Sequence, residues 1–121
     1  MKREDLYRGL QTCFVNIRYC ALTDSYEPAV FQNAIDQINA YKQYTTDHQL
    51  EEKHTLLLYC IHTLFDILGE KNSGKLADFA DVIHNMPEIY LGKRDTASFA
   101  FEVAAFRRKY GTDYFSSFDF S

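Results

Sequence analysis

The stretch LEEKHTLLLYCIHTLFDIL, residues 50–68, is the segment around which the rest of the chain has to pack. On a helix at about 100° per residue, its apolar side chains cover roughly half of the circumference. These side chains are Leu50, Leu56, Leu57, Leu58, Ile61, Leu64, Phe65, Ile67 and Leu68. The arc left for water is narrow and contains Glu52, Thr55, Tyr59, Thr63 and Asp66. A helix this apolar needs neighbours on several sides, which predicts a central position in a helical bundle.

The composition of the 121 residues is typical of an ordinary globular protein, with 46% apolar and 25% charged side chains. This balance argues against disorder, which requires few apolar groups and a high net charge. Two prolines and five glycines are few for a chain of 121 residues. Low breaker content favours helices, and the length predicts a single helical-bundle domain over residues 1–121.

Charge and hydropathy limit the classes of partner and the compartment. The net charge of −4 disfavours binding to the phosphate backbone of nucleic acid, which relies on a positive protein surface. The longest apolar run, residues 56–61, is far shorter than the ~20 residues that span a bilayer, and no signal-peptide core follows Met1. In a helix, Cys13 and Cys20 would lie about 10 Å apart, too far for a disulfide. We therefore expect reduced core cysteines in a cytoplasmic protein without a membrane partner.

Two helices are predicted before the central one. The first runs from about residue 2 to residue 22, with one buried stripe, and the second from Pro28 to about Tyr44. The stripe of the first contains Leu6, Leu10, Cys13, Ile17 and Cys20, and the inner arc of the second contains Val30, Phe31, Ala34, Ile35, Ile38 and Tyr41. Thr46 and Gln49 have the spacing of a capping box for the central helix, and Asp47 is an alternative cap.

Two more helices are predicted after the central one, which should end near Gly69. The fourth begins with Ser73 as its cap and ends at Asn85 or Met86, because Pro87 disfavours helical geometry at the residue before it. The fifth begins at Asp95 or Thr96 and ends at Tyr110, with Phe99, Val103, Phe106 and Tyr110 as its core stripe. The fold class is therefore all-α, an antiparallel bundle of four to five helices with helix 50–68 in the centre.

The histidines are the first place to look for chemistry. Carboxylate-bridged dimetal bundles contain two Glu-x-x-His pairs. Glu51 and His54 have the spacing of one such pair, and Asp81 and His84 have the same spacing with aspartate in place of glutamate. If a metal site exists, its ligands would be Glu51, His54 and His84. The helical wheel turns Asp81 and His84 away from the core stripe of their helix, so the main expectation is no metal and no cofactor. His54 is then a neutral core histidine hydrogen-bonded to a neighbour.

His62 and Asp66 lie four residues apart, and a carboxylate that holds an imidazole is two thirds of a hydrolytic triad. Cys60 points elsewhere on the same helix, and no nucleophile elbow or glycine-rich oxyanion loop is present. An ordinary pair on the helix surface is favoured, and no catalytic residue is assigned. Phosphate-binding motifs are also absent from the sequence.

The fourth helix carries the densest polar cluster of the chain, formed by Asp78, Asp81, His84 and Asn85. Such a cluster could bind a cation or basic residues of a partner, but a solvated face is the commoner explanation. Basic groups at the two ends of the fifth helix, Lys93-Arg94 and residues 107–109, could contact nucleic acid. Helix capping explains the second group, and the acidic balance of the chain weighs against the idea.

The outer side of the fifth helix is the feature that a monomer core explains least. Phe101 points about 160° away from Val103. Three small side chains flank it, namely Ala97, Ala104 and Ala105. Either the aromatic tail, residues 112–121 with Tyr114, Phe115, Phe118 and Phe120, folds onto this face, or another subunit covers it.

The sequence therefore favours a small, non-enzymatic helical-bundle protein that acts through contacts with a protein partner or with itself, as a homodimer. A metal-dependent enzyme with Glu51, His54 and His84 is the first alternative. A nucleic-acid-associated regulator that uses the basic ends of the fifth helix is the second.

Overall fold

A computed structural model describes residues 3–23, 25–48, 50–72, 74, 76–91 and 95–110 of the chain. Within these ranges all of the regular secondary structure is helical, as the sequence predicted. The elements are α1 (Arg3–Thr23), α2 (Pro28–Tyr44), α3 (Glu52–Asn72), a 3₁₀ turn (Ala77–Phe79), α4 (Ala80–Leu91) and α5 (Thr96–Tyr110). The all-α bundle is confirmed.

Contacts between the ends of the helices define the direction in which each one runs. Gln37, late in α2, donates its side-chain amide to the carbonyl of Leu6, early in α1, at 3.2 Å, so α2 runs antiparallel to α1. Phe31 contacts Phe65 and Tyr41 contacts His54, so α3 runs antiparallel to α2. Tyr90, late in α4, contacts His62 in the middle of α3, whereas Ala80, at the start of α4, lines the same cleft as Gly69, late in α3. α4 therefore runs antiparallel to α3, and the first four helices alternate up and down.

α3 is the central helix, and it packs against both α1 and α4. Its core face is largely buried as predicted, including Leu57 and Ile61, which have no exposed surface. Cys60, which was not assigned to that face, is also fully buried. The two edges of that face differ from the prediction. Thr55 is buried, whereas Ile67 is 40% exposed. One turn after Thr55, the ring of Tyr59 lies 5.6 Å from that of Phe99 in α5.

The predicted limits of the fourth helix were wrong at both ends. The chain first forms the 3₁₀ turn over 77–79, and α4 then continues through Pro87 to Leu91. A proline inside a helix removes one backbone hydrogen bond and costs about 3 kcal/mol. Ile89 and Tyr90 lie beyond it and are buried, and the burial of those two side chains offsets the cost.

The predicted boundaries of α3 were also displaced. The capping box at Thr46 does not form, because α3 begins only at Glu52. The Thr46 hydroxyl instead donates a hydrogen bond to the carbonyl of Gln43, in the last turn of α2. Gly69 lies inside α3, which continues to Asn72, and does not end the helix. The assignment of Ser73 as a helix cap lies outside the described residues.

α5 is held to the bundle through one side. Asp95 caps its first turn, accepting a hydrogen bond from the backbone N–H of Ser98 at 2.6 Å, in agreement with one of the two predicted caps. Phe99 and Val103 are buried, as predicted, whereas the side chains of Phe106 and Tyr110 lie outside the described residues.

Over the part of the chain that the structure describes, no helix combines the length and apolarity that crossing a bilayer requires.

Candidate functional site

The outer face of α5, which carries Phe101, is apolar and largely exposed to solvent. Phe101 is 77% exposed, the highest value among the large apolar side chains of the described residues. Ala97 and Ala105 beside it are exposed, and Ala104 is half-buried. The prediction that Phe101 points away from the core is therefore confirmed.

An aromatic junction fixes the orientation of this face. The ring of Phe99 packs 5.6 Å from Tyr59 of α3 and 5.2 Å from Tyr90 of α4. Because Phe101 follows Phe99 by two residues, it lies about 160° around the helix from Phe99. Docking Phe99 on the bundle thus turns Phe101 toward solvent.

A second exposed apolar stripe lies on α1 and was not predicted. Val15, Tyr19 and Leu22 are 44%, 63% and 74% exposed. Their spacing of four and three residues places them along one side of the helix. The sequence contained that signal, but the stronger stripe of Leu6, Leu10 and Cys13 defines the buried side of the same helix.

A cleft of about 870 Å³ opens between α3 and the segment formed by the 3₁₀ turn and α4. The cleft has an apolar floor and a polar rim. It is lined by His62, Phe65, Asp66, Gly69, Glu70, Leu76, Ala77, Ala80, Asp81, Ile83 and His84. Phe65 and Leu76 are buried at its base, whereas Asp66, Glu70 and Asp81 are exposed carboxylates at its edge. The rim is therefore negatively charged at neutral pH.

His62 links this cleft to the aromatic junction. Its Nδ1 lies 3.1 Å from the hydroxyl of Tyr90, and its Nε2 lies 3.9 Å from a carboxylate oxygen of Asp66. Burial lowers the pKa of His62, Asp66 raises it, and His84 lowers it further. Because burial dominates, the neutral imidazole is favoured. Burial also raises the pKa of Tyr90 to about 12, so its hydroxyl stays protonated.

The polar cluster predicted on the fourth helix divides into two parts. Asp81 and His84 line the cleft. Asp78 lies in the 3₁₀ turn rather than in α4, and neither it nor Asn85 lines the cleft. The cleft residues that the sequence did not connect with this cluster come from α3, namely Asp66 and Glu70.

The structure does not bring together the residues considered as metal ligands. His54 is buried, with its Nδ1 2.7 Å from the hydroxyl of Tyr41, whereas Glu51 and His84 are exposed. No group of three His, Cys, Asp or Glu side chains in the described ranges is placed to hold a metal ion. The hydrogen bond to Tyr41 matches the prediction of a core histidine bonded to a neighbour, and burial raises the pKa of that tyrosine.

The three cysteines are free and buried, as predicted. Burial raises the pKa of Cys13 to about 11 and that of Cys60 to about 12, which suppresses the reactive thiolate at neutral pH. These thiols belong to the core.

Several predicted features lie outside the described residues. These are Lys93-Arg94 and the tail aromatics Tyr114, Phe115, Phe118 and Phe120. Of the basic group at 107–109, the side chain of Arg108 is described, and it is exposed.

Comparison with known protein families, with curated proteins and with solved structures finds no match to this chain. What the protein does must therefore be inferred from its own residues. Three surfaces are candidates for binding: the outer face of α5, the exposed stripe of α1 and the cleft between α3 and α4.

Proposed function

We propose that this chain is a protein–protein interaction module that docks through the outer face of α5. The observation that supports the proposal is the 77% exposure of Phe101 on a helix whose other side is buried. Large exposed aromatic side chains are frequent anchors of protein interfaces. Burying one phenylalanine side chain contributes about 1.5–3 kcal/mol.

The surroundings of Phe101 suit a docking surface. Ala97, Ala104 and Ala105 carry only a methyl group, so the backbone of a partner could approach α5 closely. The aromatic junction around Phe99 holds the helix in place before any partner arrives. Preorganisation of this kind lowers the entropy cost of binding.

The test is site-specific photo-crosslinking in cells that express the full-length protein. A photoreactive phenylalanine analogue replaces Phe101, and in a matched control it replaces Asn39, which is exposed on α2. We expect a discrete covalent adduct with a polypeptide from position 101 and none from position 39. The additional substitution Ala97→Asp, on the same face, should remove the adduct.

Two results would contradict the proposal. The first is the absence of any polypeptide adduct at position 101. The second is an adduct that is equally abundant at position 39 and unaffected by Ala97→Asp, since this would indicate random collisions. Circular dichroism of the purified variants checks that the helices are retained.

A further inference from the structure

We propose that the α3–α4 cleft of one copy of this chain receives the outer face of α5 of a second copy. The inference rests on the proposed function, because it assumes that this face of α5 docks on protein. It adds the identity of the partner and the surface that accepts the helix.

The cleft has a shape that can receive an apolar side chain. The cleft has an apolar floor that includes Phe65, Leu76 and Ile83, and small residues such as Gly69 and Ala80 form its walls. A side chain added at Gly69 would meet no heavy atom within 4 Å of its Cβ, so the space above that position is open. The cleft, of about 870 Å³, is widely open to solvent, so a side chain of another molecule can reach it.

The cleft and the outer face of α5 carry opposite charges. The rim of the cleft carries the exposed carboxylates of Asp66, Glu70 and Asp81. On α5, Arg108 is exposed and follows Phe101 by seven residues, which places it on the same side of the helix and about 10 Å along it. An apolar anchor followed by a cation thus matches an apolar floor edged by anions.

The docking helix comes from a second copy and not from the same chain. Within one chain, α5 is attached through Phe99 to Tyr59 and Tyr90, and this attachment turns Phe101 outward. Phe101 therefore cannot enter the cleft of its own chain while Phe99 remains docked. A second copy carries both complementary surfaces, and reciprocal docking of two copies gives a closed dimer.

The experiment measures mass by light scattering over a range of concentrations, on the full-length protein and two charge-reversal variants. Arg108→Glu changes the docking helix, and Asp81→Lys changes the rim of the cleft. Glu88→Lys is the matched control, because Glu88 is an exposed carboxylate of α4 that does not line the cleft. We expect a dimer for the intact protein and a dissociation constant about tenfold weaker, or more, for Arg108→Glu and for Asp81→Lys.

A mixture of the two charge-reversal variants gives the sharpest result. In a mixed dimer, the carboxylate introduced at position 108 of one copy faces the ammonium group introduced at position 81 of the other. The remaining contact keeps its native charges. The mixture should therefore associate more tightly than either variant alone. Gly69→Leu, which fills the cleft without changing charge, should weaken association of otherwise intact protein.

Three outcomes would overturn the inference: a monomer at every concentration, charge variants no weaker than Glu88→Lys, or a mixture no tighter than its components. If Phe115→Ser abolishes dimerisation and the charge variants do not, the tail rather than the cleft is the partner surface. Failure of this inference is distinct from failure of the proposed function. A monomer that still gives the adduct at position 101 keeps the docking face and removes the cleft as its acceptor.

Discussion

Two histidines of α3 each contact a tyrosine hydroxyl of another helix, and the two contacts have different surroundings. The Nδ1 of His54 lies 2.7 Å from the hydroxyl of Tyr41, and the Nδ1 of His62 lies 3.1 Å from the hydroxyl of Tyr90. His54 is 1% exposed and its ring also packs 4.7 Å from that of Tyr7. His62 is only part-buried, at the edge of the cleft. The first pair belongs to the core, and the second lies where the core meets solvent.

This difference reflects how the two ends of the bundle are built. The largest fully buried side chains of the described residues all come from α1, α2 and α3. α4 and α5 contribute buried side chains too, but α5 is covered on one side and α4 leaves a cleft beside α3. The packed three-helix part therefore supplies stability, and the open part offers surfaces for recognition.

The largest contrast is expected between two phenylalanines. Phe31→Ala removes a side chain with no exposed surface and leaves a cavity, which should cost about 3–5 kcal/mol in the free energy of unfolding. Phe101→Ala removes a ring that is exposed in the single chain. Measured at a protein concentration low enough to keep the chain monomeric, it should change the free energy of unfolding by about 0.5 kcal/mol or less. Urea denaturation measures both. Similar costs for the two substitutions would mean that Phe101 belongs to the core of the protein.

The two histidine–tyrosine pairs should differ next. Tyr41→Phe removes a hydrogen bond between buried partners and should cost about 1–3 kcal/mol of stability. Tyr90→Phe removes the longer, part-exposed bond and should cost less, about 0.5–1 kcal/mol. Thermal and urea denaturation of both variants test this order. A larger cost for Tyr90→Phe would mean that the surroundings of α4, and not the packed helices α1 to α3, contribute most of the stability.

A glycine on the wall of the cleft should allow stabilisation. Gly69 lies inside α3 with open space around the position of a Cβ, so Gly69→Ala should add about 0.5–1 kcal/mol through helix propensity. Gly9 provides the contrast, because a Cβ there would approach the side-chain amide of Gln37 to 2.7 Å. Gly9→Ala should gain less, since Gln37 must move from its bond to Leu6. Equal gains at the two glycines would contradict this account.

The smallest expected effect is the pH dependence from His62. Its pKa is lowered below the ordinary 6.5, chiefly by burial, so the unfolded chain binds the proton more readily than the folded one. Stability from this group is complete above pH 6.5 and falls as the pH drops toward the folded pKa, below which it levels off. His62→Gln should flatten the profile in this window. A profile identical to that of the intact protein would show that His62 is not perturbed.

The fold could be predicted from the sequence wherever one stripe dominates a helix. Leu6, Leu10 and Ile17 define the buried side of α1 by spacing alone, and the position of Phe101 opposite Val103 follows from the same geometry. Pro87 misled the prediction, because the penalty of a proline is a local property, whereas the burial of Ile89 and Tyr90 that offsets it depends on tertiary packing.

The cleft could not be predicted, and the reason is again tertiary. Asp66 and Glu70 on α3, and Asp81 and His84 on α4, each have the pattern of a solvated helix face. Only the packing of α4 against α3 brings them to the rim of one cleft. A sequence pattern on a single helix carries no information about what a distant segment places next to it.

The aromatic junction also gives the molecule a built-in optical probe. Tyr59 and Tyr90 pack against Phe99 in fixed orientations, with the Tyr59 and Tyr90 rings 6.1 Å apart, and the chain has no tryptophan. Immobilised tyrosines in an asymmetric setting produce a near-ultraviolet circular dichroism signal that disappears when side-chain packing is lost. Detachment of α5 would therefore be visible spectroscopically while the far-ultraviolet signal of the remaining helices persists. Because the chain has no other tryptophan, the fluorescence of a single tryptophan introduced at position 101 would show whether that face is exposed to solvent or covered by a partner.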